Sequence, residues 1–453
     1  MITRCLLVLV LLLTSLSGQT SHATDVPVPE VWTARTAIKF ALRSNPDSLI
    51  ASQKILEAKA FQTKASAGFY PQVDLSGSYS QTDNPMYSFG NILNQGAFTP
   101  GIDFNNPGRT DDLNLRAGVE YRFYNGGQDQ ARTQAATAGM TAATAARESV
   151  HLRLEFEVIR SFQRIDEARN IQQARQATLA AIRSHLAVAR ARYEAGALLK
   201  VDLLNLQVEE SRAEESLIQA THNLKLSKSI FLQLLGLNAG EVKIATTDAD
   251  TPARPEQPDP FHRPELQQLQ AATQAAEARQ RAARGSRLPT VDGFAAYQYD
   301  QGYVLDGSGD SWLAGVKINF KLFDGHSTAA DIAMAEAQLG VLRSEQRRLE
   351  LAIGLEIMQA ELALSQAEQR LQVTSRMVDQ AAESAQLSAA RFKQGALLAT
   401  DLIDVETRLT DARVRDAAAK SAFLVAIADL RRASGLSQFE DAIKPPSPVE
   451  DQP

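Results

Sequence analysis

Two segments of the chain alternate between apolar and polar residues. At positions 113–124 and again at 312–323, apolar side chains occupy every second position, and mostly polar or small side chains lie between them. A period of two sustained over about ten residues predicts a β-strand with one apolar and one polar face. Weaker alternation at 72–80 and 290–299 predicts a partner strand ahead of each.

The charged residues of these strands fall on the polar face, as expected for strands that border a water-filled lumen. A soluble sandwich is the alternative for such strands taken alone, but the strands are too few to build a sandwich or to close a barrel. Three copies of the chain would supply about twelve strands, an even number that closes and leaves no sheet edge in lipid. The residues predicted to line this lumen are Arg116, Glu120, Arg122, Lys317 and Lys321.

A different pattern follows each second strand. Neither 127–196 nor 325–395 contains a proline, and each predicts one continuous helix of roughly 100 Å at about 1.5 Å per residue. Apolar residues recur at heptad spacing in the return helices 202–235 and 401–434, which are about half as long. The long helix of the first half carries two offset apolar stripes, so it needs neighbours on two sides. This pattern favours a ring of helices over a two-stranded rod.

Proline and capping residues mark where the helices begin. A proline in the first position predicts the start of two shorter helices, 46–67 and 264–284. Their lengths allow them to stack end to end on the return helices and to fill most of the space left beside the long ones. Asn125 and Asp324 are predicted to cap the long helices.

The same order of predicted elements occurs twice along the chain. Asn125-Gly126 recurs as Asp324-Gly325, and Arg192-x-x-x-Gly196 recurs as Arg391-x-x-x-Gly395, at one constant separation along the chain. The predicted organisation is a first repeat at 24–237 with a helical hairpin at 127–236, a linker at 238–263, a second repeat at 264–436 with a hairpin at 325–434, and a polar C-terminal tail at 437–453.

The N-terminus has the pattern of a removable leader. A basic residue precedes an apolar run at 6–13, which is too short to cross a bilayer, and 21–23 fits a small-x-small cleavage site. We predict a signal peptide at 1–23, with a buried N-terminal helix as the alternative. Cys5 is the only cysteine, so the exported chain is expected to form no disulfide. The net charge of −6 gives no reason to expect a nucleic-acid partner.

The duplicated order of helix, two strands, long helix, turn and return helix resembles the TolC family of outer-membrane efflux channels. The resemblance covers nearly the whole exported chain. The residues that carry it are Asn45-Pro46, Pro71, Pro289, Phe323-Asp324-Gly325 and the Arg-x-x-x-Gly-x5-Asp-Leu turns at 192–203 and 391–402. The implied fold is mainly α with a β-barrel contribution. It is a trimer with a 12-stranded outer-membrane β-barrel and a periplasmic α-helical barrel, and the linker lies at its equatorial region.

The resemblance implies the function of an outer-membrane channel, the exit duct of a tripartite efflux or type I secretion system. The implied partners are two further copies of the chain (a homotrimer), outer-membrane lipid, a periplasmic adaptor protein and an inner-membrane pump. No cofactor is expected. The implied location is the cell outer membrane, with the tunnel in the periplasm.

The resemblance also assigns roles to the two glycine turns. In the family the flanking residues contact the adaptor, and the matching positions here are Arg192, Gly196, Leu198, Asp202, Arg391, Gly395, Leu397 and Asp401. Acidic residues one helical turn apart line the family's constriction, which implies a periplasmic gate at Asp401 and Asp404. Stacked rings of carboxylates would attract cations. The alternative is that Asp401 caps the helix and Asp404 is merely solvated.

The chain departs from the family's best-known tip lock. That lock uses a Tyr three residues before the second glycine and an Arg two residues after it, where this chain has Phe392 and Leu397. The same ion-pair lock cannot form here. Lys200, beside Asp202, is expected to substitute in the gate.

An enzyme is the competing class of protein. The chain has no phosphate loop, no zinc-ligand spacing and no nucleophile elbow. Glu148-x-x-His151 resembles half of a di-iron helix motif, but the equivalent segment 347–350 does not complete it. We predict no metal site and no catalytic residues. A periplasmic coiled-coil spacer without a pore is the remaining alternative.

Overall fold

The computed structural model describes residues 28–245, 252–255 and 260–439. The predicted signal peptide lies outside the described residues, as do parts of the linker and most of the predicted tail. The first unit contains α1 (Ala34–Ser44), α2 (Pro46–Ser66), β1 (Gln72–Thr82), α3 (Pro85–Asn94), β2 (Thr110–Tyr124), α4 (Gln128–Glu194) and α5 (Lys200–Leu234). The second unit contains α6 (Pro264–Gly285), β3 (Thr290–Gln301), β4 (Ser308–Asn319), α7 (Ser327–Gln394) and α8 (Ala399–Ala433).

The four strands form one antiparallel meander in the order β1-β2-β3-β4. The predicted position of β4 was wrong by four residues, because the strand covers Ser308–Asn319 rather than 312–323. Its last residue pairs with Thr290, the first residue of β3. Pro289 precedes Thr290 and has no N–H to extend the ladder, so pairing ends there although the alternation in β4 continues.

The strand connections also differ from the predicted loops. β1 runs to Thr82 and β2 starts at Thr110, three residues before the predicted start. Between them lies α3, in a stretch whose Asn, Gly and Pro content predicts a loop. Asn84 caps α3 by accepting a 3.1 Å hydrogen bond from the N–H of Met86.

The two long helices are 67 and 68 residues, roughly 100 Å each. Asn125 and Asp324 each accept a hydrogen bond from the backbone N–H four residues on, at 3.4 and 2.9 Å. The return helices α5 and α8 have 35 residues, about half that length. Gly196 and Gly395 lie in the turns with φ of +72° and +86°, a conformation that favours glycine.

The shorter helices stack end to end on the return helices, as predicted. Asn45, just before α2, donates a 2.8 Å hydrogen bond to the carbonyl of Leu234 at the end of α5. In the second unit Arg263, just before α6, donates a 3.0 Å bond to the carbonyl of Ala433 at the end of α8. Gly236 fits this junction because a Cβ there would lie 2.6 Å from the carbonyl oxygen of Ser44.

The largest apolar core lies at these junctions, midway along the molecule. Trp32 and Phe231 are fully buried there and meet edge to face at 5.9 Å. α1, which the sequence did not predict, packs on this core, and the backbone of Trp32 pairs with the linker at Lys243. The predicted polar tail begins at this core. Phe439 is buried as part of it, and the buried side chain of Gln438 donates a 2.9 Å hydrogen bond to the carbonyl of Ala428.

Candidate functional site

The sheet places the charged residues predicted for the lumen on one face. Arg122 and Lys317 both lie opposite Asp292, and Arg122 donates a 2.7 Å hydrogen bond to its carboxylate. Arg116 and Glu120 lie an even number of residues from Arg122 along β2, so they are on the same face of the strand. Because directly opposed residues share a face of a sheet, these four side chains project to the same side. Lys321 does not join them on the sheet, since β4 ends at residue 319.

The opposite face of the sheet is apolar and open to the surroundings. Leu75 is 80% exposed and Trp312 is 77% exposed in the single chain. The exposed apolar side chains of this face include Val73, Leu75, Tyr79, Leu115, Val119, Tyr297, Trp312, Val316 and Ile318. A continuous apolar surface of this kind needs another apolar environment to cover it.

The helices form a layer whose two edges continue the edges of the sheet. Near the strands, α4 packs between α2 and α6, and α6 packs against α7. Towards the glycine turns, α4 packs between α5 and α8, and α8 packs against α7. One edge of the molecule therefore carries β1, α2 and α5, and the other carries β4 and α7.

At the far end of the helices, the two glycine turns are joined within the chain. Arg192 donates a 2.9 Å hydrogen bond to the carbonyl of Phe392, and its guanidinium lies 5.4 Å from the centre of the Phe392 ring. A second bond reaches the carbonyl of Ala197 at 3.3 Å. Phe392 is buried in an apolar cluster with Leu206 and Leu402. The residue that replaces the family's Tyr therefore packs inside the tip.

The remaining tip residues are more accessible. Gly196, Lys200, Arg391 and Gly395 are exposed, and Leu198, Asp202 and Leu397 are half-buried. Asp401 and Asp404 are exposed on the first turns of α8, on the side away from the buried Leu402 and Leu409. The carboxylate of Asp404 accepts a 2.5 Å bond from Arg408, one turn further along the helix.

Comparison with known protein families identifies the fold. The family model described as "Outer membrane efflux protein" matches residues 37–237 and 261–436. The chain belongs to the outer membrane efflux protein family. Each matched block contains one pair of strands and one helical hairpin of the structure described above.

Two relatives of this outer membrane efflux protein have similar sequences. It is 24% identical over 451 residues to nodulation protein T of Rhizobium leguminosarum bv. trifolii, covering 94% of this chain and 91% of the relative. It is 26% identical over 195 residues to the outer membrane efflux protein BepC of Brucella suis biovar 1 (strain 1330), covering 42% of this chain. The alignment spans 43% of BepC, less than half of that protein.

Three solved structures share the fold. CusC superimposes with a TM-score of 0.77 at 18% identity over 91% of this chain and 96% of CusC. VceC of Vibrio cholerae gives 0.74 at 18% identity over 90% and 97%. MtrE of Neisseria gonorrhoeae, in its open state, gives 0.70 at 15% identity over 93% and 96%. The predicted family and the predicted mainly α fold with a β-barrel contribution are confirmed.

The efflux protein has buried polar pairs at the tip that sequence reasoning missed. Nε2 of His185 on α4 lies 3.0 Å from Oε1 of Glu406 on α8, and both side chains are largely buried. Two turns away along α4 and one turn away along α8, the hydroxyls of Thr178 and Thr410 lie 2.6 Å apart. These pairs join the long helix of the first repeat to the return helix of the second. Polar residues at core positions of a coiled coil were the available signal.

Another missed residue is Glu155, which is buried in the central core. One carboxylate oxygen accepts bonds from the Ser437 hydroxyl at 2.8 Å and the Gln438 N–H at 2.7 Å. The other oxygen has no hydrogen-bond partner among the residues that the structure describes. Burial raises the pKa of Glu155 to about 7, although these two bonds oppose the shift. This carboxylate fastens the segment that follows α8 to α4.

The half-motif Glu148-x-x-His151 does not assemble into a metal centre. Nε2 of His151 lies 3.1 Å from the hydroxyl of Ser48, and burial lowers the His151 pKa and raises the Glu148 pKa. Over residues 28–245, 252–255 and 260–439, no group of three or more His, Cys, Asp or Glu side chains is placed to hold a metal ion. In the same ranges, no helix combines the length and the hydropathy of a membrane span.

Proposed function

We propose that this efflux protein assembles as a homotrimer that forms the exit duct of a tripartite efflux or type I secretion system. Twelve strands close a barrel in the outer membrane, and the helices enclose a tunnel in the periplasm. Cargo delivered by an inner-membrane pump and a periplasmic adaptor enters at the tip and leaves through the barrel. The observation that carries the proposal is a four-stranded sheet with one apolar exposed face and one charged face.

The edges of the sheet favour closure by further copies. β1 and β4 are its outer strands, so each has a row of backbone groups without a partner in the sheet. In lipid an unsatisfied backbone group costs several kcal/mol, and only a closed barrel removes such edges. Pairing β4 of one copy with β1 of the next satisfies both edges in one repeated step.

The helical layer supports the same arrangement. On the edge that continues β4, α7 exposes an apolar stripe at i, i+4 and i+11: Leu351, Leu355 and Leu362. On the edge that continues β1, α5 exposes Ile218, Leu226 and Ile230. Packing the α7 stripe of one copy against the α5 stripe of the next buries both, and it uses the same head-to-tail contact as the strands.

The tip is the proposed docking and gating region. Arg192, Gly196, Leu198, Arg391, Gly395 and Leu397 form the adaptor-docking surface, and Asp401, Asp404, Asp202 and Lys200 surround the gate. The charged lumen of the barrel is formed by Arg116, Glu120, Arg122 and Lys317, with Lys321 just below the sheet. Exposure of the glycine turns and of both α8 carboxylates supports these roles.

Reconstitution tests the proposal. The purified protein in detergent is expected to be a trimer by native mass spectrometry and to conduct ions in a planar lipid bilayer. A monomer that salt or high pH releases from membranes without detergent, and that conducts nothing, would overturn it in favour of a coiled-coil spacer.

A pair of variants tests the subunit contact. Leu355→Asp is expected to dissociate the trimer, because it places a charge in the α7 stripe. Ala363→Asp changes an exposed residue of the same helix that lies off the stripe, and it is expected to stay trimeric. Trimers of equal stability from both variants would contradict the proposed contact.

A further inference from the structure

The connection between β1 and β2 folds back over the sheet. Ser88, Asn91 and Gln95 lie on one side of α3 or directly after it. Asn91 donates a 3.0 Å bond to the hydroxyl of Thr110, which in turn lies 3.3 Å from the Ser88 hydroxyl. Gln95 donates a 3.2 Å bond to the carboxylate of Asp112. Thr110 and Asp112 lie an even number of residues from Glu120 along β2 and therefore on its charged face. α3 covers that face at this end of the strand.

Three glycines, one in β4 and two in the turn between β3 and β4, make room for this segment. A Cβ on Gly309 would lie 2.1 Å from the carbonyl oxygen of Asn94, and one on Gly307 would lie 2.6 Å from that of Gln95. A Cβ on Gly302 would lie 2.0 Å from Oε1 of Gln95. Gln95 is only 1% exposed. The backbone after α3 is therefore seated on the ends of β3 and β4 rather than hanging free above them.

The other side of α3 is apolar and exposed. Met86, Tyr87 and Leu93 are 83, 67 and 51% exposed, and, apart from α3 itself, no part of the described chain lies within 4 Å of the position a Cβ would take on Gly90. Since the inner side of α3 rests on the charged face, these side chains project away from the sheet on the lumen side.

Aromatic packing stiffens the rest of the connection. The rings of Phe89, Phe98 and Phe104 meet pairwise with centroids 4.7 to 6.4 Å apart. The matching connection of the second repeat is a short turn, in which the N–H groups of Tyr303 and Val304 bond to Asp111. Each copy of the chain therefore supplies one such helix.

We propose that α3 is an apolar constriction at the outer mouth of the channel. Three copies arrange Met86, Tyr87 and Leu93 around the exit, beyond the charged lumen. An apolar ring opposes hydrated ions, because water leaves such a narrow passage readily, whereas apolar or amphiphilic cargo meets no such barrier. This inference rests on the proposed trimeric channel, and it adds a selective element at the exit, opposite to the acidic gate at the tip.

Single-channel conductance tests the constriction. The variant Met86→Ser/Tyr87→Ser/Leu93→Ser is expected to raise the conductance by about twofold or more, because it removes the apolar barrier. The matched control Tyr303→Ser/Val304→Ser changes exposed residues of the other connection and is expected to leave conductance unchanged. Equal conductance of all three proteins overturns the constriction, whereas no conductance from the unaltered protein overturns the channel itself.

A second measurement applies if the triple variant fails to assemble. In Tyr87→Cys, the new cysteine is the only one outside the predicted signal peptide. A short bismaleimide is expected to link copies of this variant in intact trimers. Failure of a labelled Tyr87→Cys trimer to crosslink places α3 away from the axis and overturns the proposal.

Discussion

Arg192 of the first glycine turn donates a 2.9 Å hydrogen bond to the carbonyl of Phe392, beside the second glycine turn. The contact joins the two repeats at the tip within one chain. Phe392 stands at the position where the lock of the resembled family has a Tyr, and here its buried ring lies against the guanidinium of Arg192.

Replacing Arg192 is expected to loosen the tip. Lysine lacks the planar group that bonds the carbonyl and stacks on the ring, so Arg192→Lys is expected to cost about 1.5–3 kcal/mol locally. Limited proteolysis is expected to cut the turns faster. Arg391→Lys, at the equivalent exposed position of the second repeat, is the control and is expected to resist like the unaltered protein. Equal cleavage of both variants would contradict the role of Arg192.

The proposed acidic gate predicts a change of ion selectivity. Asp401→Asn/Asp404→Asn removes six charges from a trimer and is expected to lower the cation-to-anion permeability ratio several-fold. Arg408→Gln is expected to raise that ratio, because it removes the cation paired with Asp404. Reversal potentials in a salt gradient measure both. Selectivity that does not respond to either variant would favour the alternative in which these carboxylates are merely solvated.

Glu155 predicts a pH-dependent stability. Its pKa is about 7 in the folded chain and 4.5 ordinarily. Between pH 4.5 and 7, therefore, the folded state retains a proton that the unfolded state has lost. Stability from this group is full below pH 4.5 and is lost as pH rises through 7, by on the order of 3 kcal/mol. Glu155→Gln is expected to flatten the fall in melting temperature between pH 4.5 and 7.

The control for Glu155 is Glu157→Gln on the same helix. Glu157 is half-buried and pairs with Arg160 at 2.6 Å. Its substitution is expected to leave the fall of melting temperature with rising pH unchanged. A Glu155→Gln protein that keeps the full pH dependence would assign it to another group.

The apolar face of the sheet predicts an asymmetric tolerance of charge. Val316→Arg places a cation where lipid is expected, at a cost of about 2–4 kcal/mol near the membrane centre. Ser311→Arg places the same charge on the face of Lys317, where it is expected to be tolerated. The yield of trimer recovered from the outer-membrane fraction measures the difference. Equal yields would mean that the apolar face does not contact lipid.

The sequence by itself determined the elements and their duplication. Alternation of period two locates the strands, the absence of proline indicates the long helices, and Gly196 and Gly395 locate the turns. Each of these signals can be read from neighbouring residues of the sequence. Local signals also led to the family. The same locality explains the misplaced end of β4: the alternation continues to residue 323, but the end of a strand depends on its partner, and β3 starts only at Thr290.

The tertiary structure alone decided how these elements meet. The stacking of Asn45 on Leu234, the pairing of His185 with Glu406 and the burial of Glu155 under the chain after α8 join residues that are far apart in sequence. No periodicity encodes such contacts, because they depend on the relative register of packed helices. The packing of α3 on the charged face has the same cause. The three glycines leave space for the backbone around Gln95, and only the folded sheet brings them next to it.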